Sequence, residues 1–276
     1  MRKQRIFLDT GKKAWIDTYV KESFEHRDAI LVIPGGAYYE VCTDREGEPI
    51  ALSFYEKGFN AFVLNYRVVS NTVKGSTGEK VTWPTQMIDA GSAMIYIREH
   101  AAELGINPHR VFAVGFSAGG HLCGSLATMF DYPEIKEAFG ERSKLIRPDG
   151  AILSYPVTVA YGKAHFGSFV NLLGKQYSEI TDEEKRRFSL DCAVSKRTAP
   201  MFLWHTVEDA LVPVEGTLQL AAALRDKRIP FMMEIYPYGP HGLALSNEIT
   251  ECGQPALNQP MARCWVDRAC AWIETL

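Results

Sequence analysis

The sequence predicts an α/β protein built on a doubly wound, mainly parallel sheet flanked by helices, with a small insertion over one end. Short apolar runs rich in β-branched and aromatic residues recur along the chain, and longer helical patterns lie between them. Several of those runs are apolar throughout, as strands covered on both faces must be. The 276 residues, 46% hydrophobic and 23% charged, have the balance of an ordinary globular protein and suffice for a single domain over 1–276.

Six runs are predicted as strands: Ala29–Ile33, Ala61–Asn65, Val111–Gly115, Ala151–Ser154, Met201–Thr206 and Phe231–Tyr236. Between the second and third, Pro84 suits a first helical position. Met87, Ala90, Met94, Ile97, Ala101 and Leu104 then recur every three or four residues as one apolar stripe, and Gly105 sits where a left-handed cap is wanted. Thr181 and Glu184 have the spacing of a capping box for a short helix to Phe188. A last helix is predicted from about Met261, with Trp265, Ala269 and Trp272 on one side. Two segments break the alternation. Val68–Val81, polar and rich in Gly, Ser and Thr, is predicted to be a mobile loop. Pro156–Lys196 carries weak helical signals between two core strands, so an insertion of about 156–196 is expected to cap the strand ends where ligands bind in open α/β sheets.

Composition excludes some functions. A net charge of −3 would repel phosphate backbones, so no nucleic-acid partner is expected. No stretch approaches the roughly 20 apolar residues that span a bilayer, and the run Ile6–Leu8, ended by Asp9, is too short for the core of a secretory signal. A cytoplasmic protein with no membrane partner is the expectation. The six cysteines lack any C-x-x-C pair and are expected to be reduced thiols, mostly buried.

Residues 111–120 read Val-Phe-Ala-Val-Gly-Phe-Ser-Ala-Gly-Gly: a strand runs directly into G-x-S-x-G, and a glycine-laced helix follows. That context predicts a nucleophile elbow, in which Ser117 takes a strained backbone conformation between strand and helix. Gly115 and Gly119 remove side chains that would collide across so tight a turn. The helix N-terminus, aimed at the serine, offers N–H groups to a developing negative charge.

A serine hydroxyl needs a base. Around an elbow of this kind the acid and then the base follow the serine in the chain, and beyond the helix that Ser117 opens only His165, His205 and His241 remain. His241 lies in Tyr-Gly-Pro-His-Gly-Leu, a loop after the last predicted strand, where the base belongs. His205 ends an apolar strand and is expected to be fixed there by neighbours. His121 lies one helical turn beyond Ser117 and is expected to point away from the hydroxyl. For the acid, Glu208 and Asp209 compete in the loop after Met201–Thr206. The D-x-x-V-P spacing of Asp209, Val212 and Pro213 favours Asp209, whose role would be to hold the imidazole in one tautomer. The strand Ala29–Ile33 ends in Pro-Gly-Gly-Ala, similar to the HGGG-type loop that supplies oxyanion donors, with Pro34 in place of the histidine and Ala37 in place of the last glycine. Gly36, Ala37 and Ala118 are the expected oxyanion hole. Among the aromatic residues expected near the mouth (Tyr38, Tyr39, Trp83, Tyr155 and Phe166), Tyr38, Tyr39 and Trp83 join His165 as candidate substrate contacts. No metal and no organic cofactor are implied.

Pro34–Tyr38, Glu46–Ile50, Phe59–Val68, Gly115–Leu122, Ser154–Val157, His165–Phe169, Trp204–Val214 and Pro240–Gly242 together resemble bacterial acetyl esterases, including acetyl-xylan-esterase-like and feruloyl-esterase-like members of the α/β-hydrolase superfamily. The resemblance covers nearly the whole chain. It implies the α/β-hydrolase fold and hydrolysis of small acyl esters, acetyl groups on sugars or xylo-oligosaccharides among them. The elbow and triad motifs do not separate esters from amides. An amide or peptide hydrolase of the same fold, such as an arylformamidase or a small peptidase, is the alternative, and a non-catalytic binding module a more distant one. The substrate is expected to be a small-molecule ester. A homo-oligomer is compatible with the sequence, which does not determine the oligomeric state.

Overall fold

The computed structural model describes residues 1–21, 26–69 and 81–276. Its centre is an eight-stranded sheet: β1 (Arg2–Phe7), β2 (Trp15–Val20), β3 (Arg27–Ile33), β4 (Asn60–Asn65), β5 (Ile106–Phe116), β6 (Ala151–Ser154), β7 (Met201–Thr206) and β8 (Phe231–Tyr236), in the spatial order β1-β2-β4-β3-β5-β6-β7-β8. β1 and β2 pair antiparallel, as do β2 and β4; every pairing from β4 through β8 is parallel. All six predicted strands are present. β1 and β2 were not predicted: Arg-Lys-Gln-Arg-Ile-Phe lies on the sheet's edge, is largely exposed and is apolar only at its end, and Asp17 and Thr18 interrupt the apolar residues of β2.

The sheet is buried on both faces by helices. Along β3, Leu31 and Ile33 face one core and Ile30 and Val32 the other, the alternation a pleated strand imposes. The first core is completed by α2 (Thr85–Glu99), α3 (Ser117–Thr128) and α7 (Glu215–Asp226), through Met87, Met94, Leu122, Leu126, Leu220 and Leu224. The second is completed by α1 (Glu48–Glu56) and α8 (Trp265–Ile273), through Ile50, Phe54, Trp265 and Trp272. Each such side chain contributes about 1.5–3 kcal/mol by leaving water.

Helix ends follow their sequence signals. Gly105 is left-handed, with φ 63° and ψ 42°. Pro84 stands one residue before α2 rather than inside it, and the final helix starts at Trp265 after turns over 260–264. Between β6 and β7 lie α4 (Phe166–Leu173), α5 (Asp182–Arg187) and α6 (Leu190–Ala193). The capping box of α5 is formed: Glu184 N–H donates to Thr181 Oγ1 at 3.2 Å and Thr181 N–H to Glu184 Oε2 at 3.0 Å. The loop expected at Val68–Val81 lies, apart from residues 68, 69 and 81, outside the described residues. The cysteines depart from expectation: only Cys123 is buried, while Cys192 and Cys252 are exposed. Cys192 lies in the short helix α6, on a side turned to solvent, and Cys252 lies in a turn. Among the described residues no helix is long and apolar enough to cross a membrane.

The parallel strands point their C-terminal ends the same way. The segments after β3, β5, β6, β7 and β8 therefore gather at one edge, bringing together residues far apart in sequence.

Candidate active site

Ser117 follows β5 directly and opens α3, with φ at 53°. A side chain on Gly115 would meet Gly119 O at 2.2 Å, and one on Gly119 would meet Ile33 O at 2.2 Å and Pro34 O at 2.3 Å. Glycine at both positions lets the turn close, and the strained backbone lifts Ser117 Oγ to the rim of the sheet.

His241 lies in the loop after β8 and Asp209 in the loop after β7. His241 Nε2 is 2.8 Å from Ser117 Oγ, and His241 Nδ1 is 2.7 Å from Asp209 Oδ2. Asp209 is buried. Its Oδ1 accepts the N–H groups of Leu211 (3.0 Å) and Val212 (2.8 Å), and its Oδ2 also meets His205 Nε2 at 3.1 Å. Burial works against the charge on Asp209, but the hydrogen bonds from His205, His241 and Val212 outweigh it and hold the carboxyl well below the usual range. With Nδ1 donating to that carboxylate, His241 presents Nε2 as the acceptor toward the serine hydroxyl.

The turn after β3 has its carbonyls engaged. Pro34 O accepts from Tyr66 Oη (2.9 Å), Gly35 O from Cys42 N–H (3.1 Å), Gly36 O from Tyr39 and Glu40 N–H (2.9 and 3.0 Å) and Ala37 O from Asn171 Nδ2 (2.8 Å). Gly35 N–H donates to Glu46 Oε2 at 2.7 Å. The N–H groups of Gly36, Ala37 and Ala118 donate to no group among the described residues. Gly36 and Ala37 both have positive φ, 122° and 56°, an unusual conformation for alanine that the engaged carbonyls maintain. Such N–H groups beside a serine hydroxyl can accept an oxyanion.

Ser117 and His241 open on a pocket of about 380 Å³ whose wall includes Gly36, Ala37, Tyr39, Arg45, His165 and Gln254. Of the four candidate substrate contacts, Tyr39 and His165 line it. His165 Nδ1 lies 2.9 Å from Ser168 Oγ; burial, and then the charge of His241, push its imidazole below the ordinary value. Tyr38 and Trp83 depart from expectation. Tyr38 is 1% exposed, and its hydroxyl is 2.7 Å from His121 Nδ1. Its left-handed backbone, φ 58°, turns the ring into the core while its neighbour Tyr39 faces out. Trp83 packs edge-on against Tyr132 and Phe188 and bonds Glu134, away from the pocket wall. Tyr155 lies under the site rather than at its mouth, and Phe166 packs on Tyr177. His121 faces away from Ser117, as expected. It is fully buried between the Tyr38 hydroxyl and Phe188 O, and burial lowers its pKa to about 4.

Four residues of this constellation were not among the sequence candidates in these positions. His205, read only as fixed by its neighbours, reaches Asp209 through Nε2, which also meets Val212 O at 2.9 Å, while its Nδ1 is 2.8 Å from Thr217 Oγ1. Asn171 projects from α4 to hold the Ala37 carbonyl. Glu46 lines the pocket and is hydrogen-bonded to the buried Tyr155, and burial pushes the Glu46 carboxyl above the ordinary range against its hydrogen bonds. A histidine four residues before a loop aspartate was the one usable signal; the other three contacts span long sequence separations. Among the described residues no group of three His, Cys, Asp or Glu is placed to hold a metal ion.

The BD-FAE family model matches residues 16–224, which include the Gly36–Ala37 turn, Ser117 and Asp209. The chain belongs to the BD-FAE family. This is a family of α/β-hydrolases of the feruloyl-esterase-like kind. The chain is 41% identical over 234 residues to endo-1,4-beta-xylanase B of Butyrivibrio fibrisolvens, which covers 83% of this chain and 34% of the xylanase. It is 29% identical over 243 residues to an acetylxylan esterase of Xylanibacter ruminicola, covering 87% of this chain and 46% of that protein. It thus spans between a third and a half of the length of these curated relatives. Among solved structures it superposes on the acetyl ester-xyloside bifunctional hydrolase of Caldicellulosiruptor lactoaceticus with a TM-score of 0.83 and 32% identity, covering 99% of this chain and 96% of that one.

Proposed function

We propose that this BD-FAE family member is a serine-dependent carboxylic-ester hydrolase acting on short acyl esters, acetyl groups on sugars or xylo-oligosaccharides in particular. The observation that carries the reading is the unbroken chain of hydrogen bonds from Ser117 Oγ through His241 to Asp209 Oδ2, at 2.8 and 2.7 Å. In this reading Ser117 Oγ attacks the ester carbonyl as His241 Nε2 takes its proton. The oxyanion forms against the N–H groups of Gly36, Ala37 and Ala118. The imidazolium, held by Asp209, then protonates the leaving alcohol. Water repeats the sequence on the acyl-enzyme and releases the acid. Every proton is carried by His241, so no cofactor enters the scheme.

The names of the acetylxylan esterase and of the acetyl ester-xyloside hydrolase support an acetylated sugar as substrate. A Ser–His pair also suits attack at an acyl carbon rather than the paired-carboxylate chemistry of glycoside hydrolysis. Tyr39 and His165 are the proposed substrate contacts, and segment 156–196 the proposed cap of a single domain, since it supplies His165 to the pocket and Asn171 to the oxyanion turn. The test is an acyl-chain series of p-nitrophenyl esters run beside acetylated xylo-oligosaccharides and formyl-kynurenine. Preferred release of acetate from the sugars, lost in Ser117→Ala and His241→Ala with the fold intact, is the expected result. Full activity in either variant overturns the assignment, and preferred turnover of formyl-kynurenine shifts it to amides.

A further inference from the structure

Among the residues lining the pocket is a nearly buried carboxylate that the proposed reaction does not use. Glu46 ends a single helical turn, Thr43–Glu46, and is 3% exposed. Its Oε2 accepts the Gly35 N–H at 2.7 Å, and its Oε1 accepts the Tyr155 hydroxyl at 2.7 Å. The two partners belong to opposite halves of the site. Gly35 immediately precedes the amides of Gly36 and Ala37. Room for it is so tight that an added Cβ would meet Glu46 Oε2 and Ser117 Cβ, each at 2.9 Å. Tyr155 serves the base. Its hydroxyl oxygen accepts the Ala244 N–H at 3.0 Å, and its ring stands edge-on to the His241 imidazole, with centroids 5.0 Å apart at 75°. Ala244 is in turn held by Trp265 Nε1 on its carbonyl at 2.8 Å, so the loop that carries His241 is fastened at a point three residues beyond it.

We propose that Glu46 is a positioning residue: its carboxylate clamps the oxyanion turn, through Gly35, to the His241 loop, through Tyr155, and so sets the spacing between oxyanion donors and base. The inference rests on the reading of Ser117, His241 and the Gly36–Ala37 turn given above. A carboxylate is the group that fits. Both donors point inward, and a carboxylate alone among side chains of this size presents two acceptor oxygens and no donor. A glutamine turns its amide oxygen to one partner and must present N–H to the other. Gly35 cannot accept it. Tyr155 can accept it only by leaving its own hydroxyl hydrogen unpaired in a buried site.

The experiment uses Glu46→Gln, Tyr155→Phe and the double variant. It follows the rate at which a fluorophosphonate probe labels Ser117, because that reaction needs the nucleophile, base and oxyanion donors whatever the natural substrate is. Alongside it, kcat and KM for p-nitrophenyl acetate and the thermal midpoint are measured. A displacement of the reacting groups predicts a fall of about 10²-fold in labelling rate and in kcat for Glu46→Gln, with KM little changed. It also predicts a smaller fall for Tyr155→Phe, and a double variant no worse than Glu46→Gln, since both changes break one clamp. Labelling at the wild-type rate in folded Glu46→Gln overturns the proposal, even where its midpoint has fallen. Should Glu46→Gln not fold, wild-type labelling in Tyr155→Phe overturns it instead. A wild-type protein that labels but turns over no ester refutes the proposed function and leaves this inference standing.

Discussion

Replacing Asp209 by asparagine changes one oxygen for an NH₂ group, and the structure says where that group must go. Asp209 Oδ1 faces two backbone N–H groups, from Leu211 and Val212, that cannot turn away without unmaking the loop. The new amide is therefore expected to keep its oxygen there and to aim its NH₂ at the Oδ2 side, where His241 Nδ1 and His205 Nε2 now lie at 2.7 and 3.1 Å. Facing a donor, His241 must make Nδ1 its acceptor and move its proton to Nε2. Nε2–H then points at Ser117 Oγ, and the base has become a donor. His205 cannot relieve the conflict, because its Nε2 proton is shared with Val212 O and its Nδ1 is taken by Thr217. A wrong-tautomer base of this kind costs about 10⁴ in kcat, equivalent to about 5.5 kcal/mol of barrier. The assay is kcat/KM for p-nitrophenyl acetate, with circular dichroism to establish that the variant is folded. A folded Asp209→Asn with nearly wild-type kcat/KM would refute both the tautomer argument and the placing of Asp209 as acid.

Asn171→Ala releases the Ala37 carbonyl; with one neutral hydrogen bond worth about 1 kcal/mol, kcat should fall about fivefold, and an unchanged kcat shows the turn is rigid without it. His121 is neutral when folded, its pKa lowered to about 4 by burial, whereas in the unfolded chain it binds a proton below the ordinary 6.5. The unfolded state takes up more protons between those values, so the stability His121 contributes is present above them and lost as pH falls through this window. Urea unfolding should show a decline of about 2 kcal/mol between pH 7 and pH 5 that His121→Gln lacks; parallel declines in the two proteins refute it. Gly119→Ala places a methyl group within 2.3 Å of the Ile33 and Pro34 carbonyl oxygens, both backbone, and should cost more than about 3 kcal/mol or prevent folding. A thermal midpoint close to wild type would show that the elbow can yield.

Much of the fold was legible in the sequence because its signals are local. A strand covered on both faces must be apolar, so β4, β6, β7 and the C-terminal parts of β3 and β5 stand out in the chain, while β1, exposed and half charged, does not. The elbow was legible for a related reason: its two glycines are demanded by contacts within one turn, and that demand is written over five residues. Asp209 and His241 could be chosen by their place after particular strands. The parallel sheet then brought them within hydrogen-bond reach of each other and of Ser117.

The tertiary structure alone decided which way neighbouring side chains face and what lies across from them. Tyr38 and Tyr39 are adjacent and chemically alike, yet a left-handed backbone at residue 38 buries one against His121 and leaves the other at the pocket. Glu46 and Tyr155 stand 109 residues apart, and Asn171 and Ala37 134. No periodicity links such pairs. They meet because the segments after parallel strands converge on one edge of the sheet, and the length of chain between two positions says nothing about that convergence.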